Sequence, residues 1–169
     1  SFANKLYNEF NEDGNFDFYN TEQLALELLC ICDDEGNISI REDANELINR
    51  YDQVLVDEFQ DVNDLQNLLF YALSNKEQKL FAVGDLKQSI YGFRGSNPKN
   101  FLNKKNIYKD YDLFKEQDVP KKIILSDNFR SSKGVCEYVN FFFSQMLNGE
   151  LGDFVYDDSE RLNAAANFP

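Results

Sequence analysis

Two adjacent carboxylates, Asp57 and Glu58, follow directly on a short apolar run, Val54–Val56. Such a run predicts a buried parallel strand whose carboxyl end opens at the edge where ligands bind in α/β sheets. One carboxylate there can hold Mg²⁺ while its neighbour orients and deprotonates a water molecule, as metal-dependent phosphoryl transfer requires. Adjacent acids also follow strands because they favour the dipole of a following helix, so the pair alone leaves both interpretations open.

Two further apolar runs end in polar residues that suit the same edge of a sheet. Residues 80–83 read LFAV and end at Gly84 and Asp85, after which a polar and aromatic loop continues to residue 96. Residues 123–125 read IIL and lead through the polar string 126–130 to a helical pattern. Because parallel strands bring their carboxyl ends together, we expect acids from successive strands to gather there.

Four segments carry apolar residues at helical spacing. Thr21 is the predicted N-cap of the first, and Asn63 with Gln66 predicts a capping box at the start of the third. Residues 33–37, between the first two, read DDEGN, which is turn chemistry. Strands alternating with helices predict an α/β fold with a mainly parallel, three-layer sheet. The apolar positions are Leu24, Ala25, Leu28 and Ile31 in the first segment, Ala44, Leu47, Ile48 and Tyr51 in the second, Leu65, Leu68, Leu69 and Ala72 in the third, and Val135, Tyr138, Val139, Phe142, Phe143 and Met146 in the fourth.

The composition is that of a globular protein with an acidic average. Of the 169 residues, 43% are apolar and 15% aromatic, which excludes a disordered chain. No apolar stretch approaches the roughly 20 residues of a membrane span, and the first residues lack a signal-peptide pattern, so we expect a cytosolic protein without a membrane partner. The formal charge of −13 argues against a broad phosphate-binding face. A local basic site and a solvated lysine-rich face both remain open, because lysines concentrate at positions 99, 104, 105, 109, 115, 121 and 122.

Three longer strings carry a resemblance to a known family. Residues 56–61 read VDEFQD, residues 83–96 read VGDLKQSIYGFRGS, and residues 125–132 read LSDNFRSS. In this order and spacing they resemble motifs II, III and IV of the superfamily 1 UvrD/Rep/RecB DNA helicases. Lys87, followed by residues 88–91, favours the branch of AddA-type helicase–nuclease subunits, whereas UvrD-like members have an acidic pair at Leu86 and Lys87.

The resemblance implies a role in ATP hydrolysis for five residues. Asp57, with Glu58 beside it, would coordinate Mg²⁺, and Glu58 would activate the water that attacks the γ-phosphate of ATP. Gln88 matches the glutamine that senses the γ-phosphate and couples it to the DNA site. Phe129 matches the ring that stacks on the adenine, where the family usually has tyrosine. Arg130 matches the arginine that reaches the γ-phosphate from the second motor domain, where its planar guanidinium stabilises the transferring group.

The resemblance assigns three further residues to the loop after motif III begins. Tyr91 and Phe93 lie where the family stacks a base of single-stranded DNA, which every base tolerates because every base has a π face. The alternative interpretation is two rings buried in the core. Arg94 matches an arginine expected to bridge this loop to the phosphate region, and Gly92 departs from the arginine that is common there.

The resemblance also implies a RecA-like P-loop NTPase fold, of which this chain would hold only a part. Residues 1–115 would be the C-terminal part of the first motor domain, with motifs II and III, and residues 116–169 the start of the second, with motif IV. The sequence contains no GxxxxGK[ST] string, whose backbone amides and lysine grip nucleotide phosphates. We therefore expect an internal fragment that hydrolyses no ATP by itself.

Two functions are consistent with these residues. The first is an ATP-dependent DNA helicase of the 3′–5′ type, which moves along single-stranded DNA and acts on double-stranded DNA in break repair and recombination. It would pair with a second, AddB-like protein, and a nuclease domain with exonuclease activity would lie beyond these residues. The second is a degenerate, nonhydrolytic helicase-fold module that serves protein contacts, as the acidic average suggests. Intact Asp57, Glu58, Gln88 and Arg130 favour the first function.

Overall fold

A computed structural model describes residues 18–113, 120–149 and 154–166 of the chain, the Phe18 side chain excepted. The chain divides into two compact units between Phe101 and Leu102, within one helix. The predicted boundary between two motor domains, at residues 115 and 116, lies outside the described residues and stays a prediction. None of the helices in the described ranges is long and apolar enough to cross a membrane.

The first unit begins with a helix that runs into a hairpin. Helix α1 spans Phe18–Leu29, and strands β1 (Cys30–Cys32) and β2 (Ile38–Ile40) pair antiparallel. The sequence prediction that the first helix extends through Ile31 is therefore wrong, since Ile31 lies in β1. The predicted start at Thr21 is also displaced, because α1 begins three residues earlier.

The turn between β1 and β2 explains why the helix stops. The side chain of Asp33 accepts hydrogen bonds from the backbone N–H groups of Glu35 (3.0 Å) and Asn37 (2.8 Å) and from the Asn37 amide (3.0 Å). Gly36 completes the turn with φ 86°, a left-handed conformation that glycine adopts without strain. This local side-chain bonding, predicted from the residue types, competes with helix formation.

The second predicted helix is shorter than its apolar pattern. A 3₁₀ turn, Glu42–Ala44, leads into helix α2 (Asn45–Ile48), and Tyr51 lies beyond it in an exposed position. The core of this unit is small, which suits a short α2 that buries only one side. Its fully buried apolar residues are Leu29, Ala44, Ile48 and Ala72.

Two short parallel strands form the part of the unit that leads to the acids. Strand β3 (Val54–Val56) pairs in register with β4 (Leu80–Ala82), so the predicted strands and their parallel direction are confirmed. Their predicted burial is wrong, because Leu55 is 69% exposed and Phe81 57% exposed. A parallel strand is buried only when other layers cover both of its faces, and these two central side chains point to an uncovered face.

Helix α3, Asp64–Leu73, starts with the predicted capping box. The Asn63 side chain accepts from the backbone N–H of Gln66 at 2.7 Å, and the Gln66 side chain accepts from the backbone N–H of Asn63 at 3.2 Å. Both amides also donate to the carboxylate of Glu22 in α1, at 3.0 and 2.6 Å. The cap therefore fixes the helix start and ties α3 to α1.

The second unit has two more parallel pairs. Helix α4 (Lys99–Ile107) leads to β5 (Lys109–Asp110), which pairs with β6 (Lys121–Lys122). Strands β7 (Asp127–Asn128) and β8 (Asn163–Ala164) form the other pair. The predicted strand over residues 123–125 is wrong: these residues lie between β6 and β7, exposed by 64%, 47% and 82%.

Helix α5, Lys133–Met146, was predicted where it occurs, but it buries a different face. Cys136 and Asn140 are buried, with Val139 and Phe143 half-buried beside them. The Asn140 carboxamide oxygen accepts from the Tyr156 hydroxyl at 2.6 Å and from the Leu162 N–H at 2.9 Å. This pairing holds the segment before β8 against α5. The remaining predicted core positions, all at least 43% exposed, are Val135, Tyr138, Phe142 and Met146.

The predicted α/β class thus appears as helices combined with short, mainly parallel strand pairs. Three of the four pairs in the described residues are parallel, and each is a separate two-stranded sheet. The single three-layer sheet expected from the alternation of elements is not formed by the described residues. Each short sheet has unpaired edges, where a larger sheet would continue.

Candidate functional site

The acidic corner, Asp57 and Glu58, lies where predicted, directly beyond the end of β3. Both side chains are exposed. Glu58 has φ 50° and ψ 43°, a left-handed conformation that costs about 1–3 kcal/mol for a residue with a side chain. Its backbone N–H donates to Oδ1 of Asp57 at 2.9 Å. The chain thus turns sharply off the strand and leaves both carboxylates in solvent.

Phe59 anchors this turn from below. Its side chain is fully buried and packs against the rings of Phe70 and Phe101, with centroids 6.4 and 5.8 Å away. Its backbone N–H donates to the carbonyl of Val83 at 2.8 Å, one residue beyond β4. Burial of this ring stabilises the turn by about 1.5–3 kcal/mol, which can offset the left-handed backbone of Glu58.

Gln60 joins the acidic corner to the next strand end. Its side chain is 1% exposed, and its Nε2 donates to Oε2 of Glu58 at 2.8 Å. Its Oε1 accepts from the backbone N–H of Asp85 at 2.9 Å. The sequence analysis gave Gln60 no role; the only signal was an amide between two acids and next to a phenylalanine, in the string DEFQD.

Gly84 makes room for the Gln60 amide. A Cβ atom at this position would lie 2.6 Å from Oε1 of Gln60 and 3.1 Å from the backbone N of Phe59. Real Cβ atoms essentially never approach as closely as the first of these distances. Any side chain at position 84 would therefore push the amide away from Asp85.

Asp85 extends the connection to Gln88. Asp85 precedes a 3₁₀ turn, Leu86–Gln88, and its Oδ1 accepts from the backbone N–H of Lys87 at 3.1 Å. The Lys87 ammonium pairs with the same oxygen at 2.8 Å, and Nε2 of Gln88 donates to Oδ2 at 3.0 Å. Glu58, Gln60, Asp85 and Gln88 thus form one continuous hydrogen-bonded connection, which we call the coupling chain.

The aromatic loop, residues 89–96, follows the coupling chain and presents its rings to solvent. Tyr91 is 39% exposed and Phe93 80% exposed, so the alternative that both rings are core residues is wrong for this structure. Their centroids lie 6.0 Å apart. The Arg94 guanidinium lies over both rings, 5.4 Å from Tyr91 and 5.5 Å from Phe93, which is cation–π geometry.

The far end of the aromatic loop is fixed to the start of α3. The Asn97 side chain donates to Oδ1 of Asp64 at 2.8 Å, and its backbone N–H donates to the Val62 carbonyl at 2.9 Å. The Asn100 amide donates to the same Asp64 oxygen at 2.9 Å. Since Asp85 and Asn97 are both held, the exposed rings are carried between two fixed points.

The remaining predicted site residues belong to the second unit. Phe129 is 71% exposed, and Arg130 is also exposed. Oδ1 of Asn128 accepts from the backbone N–H groups of Arg130 at 2.9 Å and Ser131 at 2.8 Å. The turn after β7 is therefore closed by a side chain, and it leaves the ring and the guanidinium free of the backbone bonding that shapes it.

Comparison with known families decides between the interpretations of the acidic corner. Residues 1–109 match the sequence profile of the UvrD/REP helicase N-terminal domain. The chain belongs to the UvrD/Rep helicase family. The matched range contains the acidic corner, the coupling chain and the aromatic loop. The predicted resemblance to this family is confirmed.

Curated relatives extend the likeness beyond the UvrD/Rep profile. A protein of Clostridium acetobutylicum, named as the AddA-type subunit of an ATP-dependent helicase/nuclease, is 40% identical over 158 residues, covering 92% of this chain and 12% of the relative. Proteins of the same name from Clostridioides difficile and Pediococcus pentosaceus are 39% and 34% identical over 168 residues, covering 99% of this chain and 13% of each relative. The predicted likeness to AddA-type proteins is confirmed, and the chain spans about an eighth of their length.

The acidic corner fits the Mg²⁺ ion that ATP-dependent UvrD/Rep helicases imply. Within the described residues, Oδ2 of Asp57 and Oε1 of Glu58 accept no hydrogen bond. Both are hard oxygen donors on exposed side chains, and Mg²⁺ is typically held by one or two carboxylates with water and substrate phosphate completing its shell. In keeping with so few protein ligands, no group of three or more acidic, cysteine or histidine residues in the described ranges forms a metal cage.

Proposed function

We propose that this chain is one section of an ATP-dependent DNA helicase of the helicase–nuclease type, and that it carries the water-activating carboxylate and the loop that couples hydrolysis to single-stranded DNA. The observation that carries the proposal is the coupling chain. It connects Glu58, at the end of β3, through Gln60 and Asp85 to Gln88 and the start of the aromatic loop. A structural acidic pair would have no need of such a connection to an exposed aromatic loop.

The acidic corner has a division of labour between its two carboxylates. Asp57 and Glu58 would hold Mg²⁺, which supplies charge neutralisation at the phosphates of ATP when bound. Gln60 occupies Oε2 of Glu58, so Oε1 is the oxygen left to accept a proton from the attacking water. Gln88, held through its Nε2, keeps its carboxamide oxygen for a water or phosphate-bound proton.

In the second unit we assign nucleotide contacts to the exposed turn after β7. Phe129 would stack on adenine with its uncovered ring, and Arg130 would stabilise the charge on the transferring phosphoryl group. Arg94 supports a different role from the one expected of it, because its guanidinium lies over Tyr91 and Phe93. We therefore propose that Arg94 stiffens the aromatic loop, and that any bridge to phosphate forms only with nucleotide bound.

The wider function follows the names of the relatives. They are named as one subunit of an ATP-dependent helicase/nuclease, which implies DNA as substrate and a second, AddB-like protein, and we extend both to the protein that contains this chain. On this proposal two RecA-like motor domains close and open as ATP turns over, and movement runs in the 3′–5′ direction. The formal charge of −13 favours the alternative of a nonhydrolytic module, but such a module would not retain an exposed carboxylate held in a left-handed turn.

Strand separation tests the proposal. With ATP and Mg²⁺, the full-length protein in complex with its partner is expected to unwind a duplex that carries a 3′ single-stranded tail, and ADP should support no unwinding. A duplex with a 5′ tail is the matched substrate for direction. Absence of ATP-dependent unwinding and of ATP turnover would favour the nonhydrolytic module.

Phe93→Ala is expected to weaken the coupling between DNA and ATP hydrolysis. Stacking on one base is worth about 1–3 kcal/mol, so the DNA concentration for half-maximal ATPase stimulation should rise at least about fivefold. Phe93→Tyr keeps the aromatic face and should behave like the unsubstituted protein. The measurement is phosphate release against concentration of an oligonucleotide. An unchanged half-maximal concentration in Phe93→Ala would remove Phe93 from the DNA site.

A further inference from the structure

We infer that Gln60 is a positioning residue for ATP hydrolysis, whose buried amide sets the orientation of Glu58 and ties it to the loop that begins at Asp85. This inference rests on the proposed function of Glu58 and adds a residue through which that carboxylate is controlled. Gln60 touches neither nucleotide nor DNA in this assignment; it acts through Glu58.

The Gln60 side chain uses both ends of its amide. Its Nε2 donates to Oε2 of Glu58 at 2.8 Å and lies 3.5 Å from Oδ2 of Asp61. Its Oε1 accepts from the backbone N–H of Asp85 at 2.9 Å. Glutamine is the side chain of this length that offers a donor and an acceptor together, so neither glutamate nor an apolar residue of similar size can keep both bonds.

The amide is also enclosed. Gln60 is 1% exposed, and the absent Cβ of Gly84 would lie 2.6 Å from its Oε1. The hydroxyl of Ser89 donates to the Gln60 carbonyl at 3.4 Å, so the first residue of the aromatic loop contacts the same residue. Rotation of the buried amide would leave its polar atoms without partners, which is costly in the interior.

Glu58 needs such a support because little else orients it. Its side chain is exposed, and Gln60 is its only side-chain partner among the described residues. A general base must lie within hydrogen-bond reach of its water, and a displacement of about 1 Å can lower a rate about a hundredfold. Because Oε1 of Gln60 is bonded to the backbone of Asp85, a shift at the start of the motif III loop reaches Glu58 through one side chain.

Gln60→Met in the full-length protein tests the inference. Methionine fills a similar volume and makes neither bond, so kcat for ATP at saturating single-stranded DNA is expected to fall at least about tenfold. The KM for ATP and the affinity for a fluorescent ATP analogue should change less than about threefold, because no nucleotide contact is lost. Gln60→Glu, which keeps the acceptor for Asp85 and loses the donor to Glu58, should lower kcat in the same way.

Gln66→Met is the matched control. Gln66 is another glutamine of the first unit whose amide makes bonds in both senses, to Asn63 and Glu22, away from Glu58. Its loss should lower the thermal midpoint through the capping box and leave kcat within about twofold. Thermal midpoints of all variants separate loss of folded protein from loss of rate.

A double variant shows whether Gln60 acts through Glu58. In a Glu58→Gln protein, adding Gln60→Met should cause no further loss of the residual single-turnover rate, because residues acting as one unit are non-additive. A kcat within twofold of normal in either folded Gln60 variant would overturn the inference, as would a further tenfold loss in the double variant. Normal turnover by Glu58→Gln alone would instead overturn the proposed function.

Discussion

Replacing Glu58 by glutamine is expected to reduce steady-state ATP hydrolysis by the full-length protein about a hundred- to ten-thousandfold, the contribution of a general base. The amide has the shape of the carboxylate and can still accept a hydrogen bond from Nε2 of Gln60, so the left-handed turn and the coupling chain should persist. Only the ability to take a proton from water is lost. ATP affinity should therefore stay within about threefold of normal.

The measurements for this variant are phosphate release at saturating single-stranded DNA and equilibrium binding of a fluorescent ATP analogue. Glu46→Gln is the matched control, because Glu46 is an exposed acid of the same unit, 84% exposed as a side chain and paired with Arg50 on the surface. Such a pair is worth little, and turnover should be unchanged. A Glu58→Gln protein that hydrolyses ATP at the normal rate would contradict the assignment of this carboxylate.

Arg130→Lys is the second substitution with a large expected effect. A guanidinium that reaches the γ-phosphate stabilises the transition state by a planar, two-pronged contact that an ammonium cannot copy, and such arginines contribute about 10³-fold or more. Positive charge is kept, and the backbone of residue 130 is held by Asn128 independently of the side chain. We therefore expect kcat to fall about a thousandfold with the thermal midpoint unchanged.

Arg161→Lys provides the comparison for Arg130→Lys. Arg161 is an exposed arginine of the same unit, next to the 3₁₀ turn Asp158–Glu160 and outside the motif IV string. Its replacement should leave kcat within about twofold, as surface substitutions away from structural features generally do. Equal rates for the two lysine variants would show that Arg130 is a surface cation without a role at the phosphate.

Local chemistry could be predicted from the sequence because its partners are neighbours in the chain. The capping box of Asn63 and Gln66 and the turn around Asp33 depend on side chains that bond backbone groups within four residues. The strands before the acidic corner and before Gly84 were predicted for a similar reason, since a short apolar run ending in a turn restricts the backbone wherever it packs.

Burial could not be predicted where it depends on elements far along the chain. Leu55 and Phe81 are apolar residues at the centre of paired strands, yet each is more than half exposed. Helix α5 buries Asn140 because Tyr156 and Leu162 bring their own polar groups to it, a pairing that periodicity does not show. Apolar spacing therefore predicted the helix correctly and its inward face only in part.

The candidate site shows the same limit. Motif strings predicted Asp57, Glu58 and Gln88 as separate residues of one catalytic set. The structure adds Gln60 and Asp85, which connect them, and Gly84, which leaves the space for that connection. Nothing in the residue types specifies that an amide at position 60 meets a backbone N–H at position 85, because this contact exists only once β3 and β4 pair.

Single-turnover cleavage of pre-bound ATP tests the central claim most directly, because it isolates the chemical step from binding and product release. The full-length protein is loaded with radiolabelled ATP, mixed with Mg²⁺ in the presence or absence of a single-stranded oligonucleotide, and quenched at intervals. We predict that DNA accelerates cleavage at least about tenfold in the unsubstituted protein, and that the Glu58→Gln protein, although fully loaded, cleaves at least about a hundredfold more slowly with DNA present. Equal cleavage rates in the two proteins would show that Glu58 is not the residue that activates water.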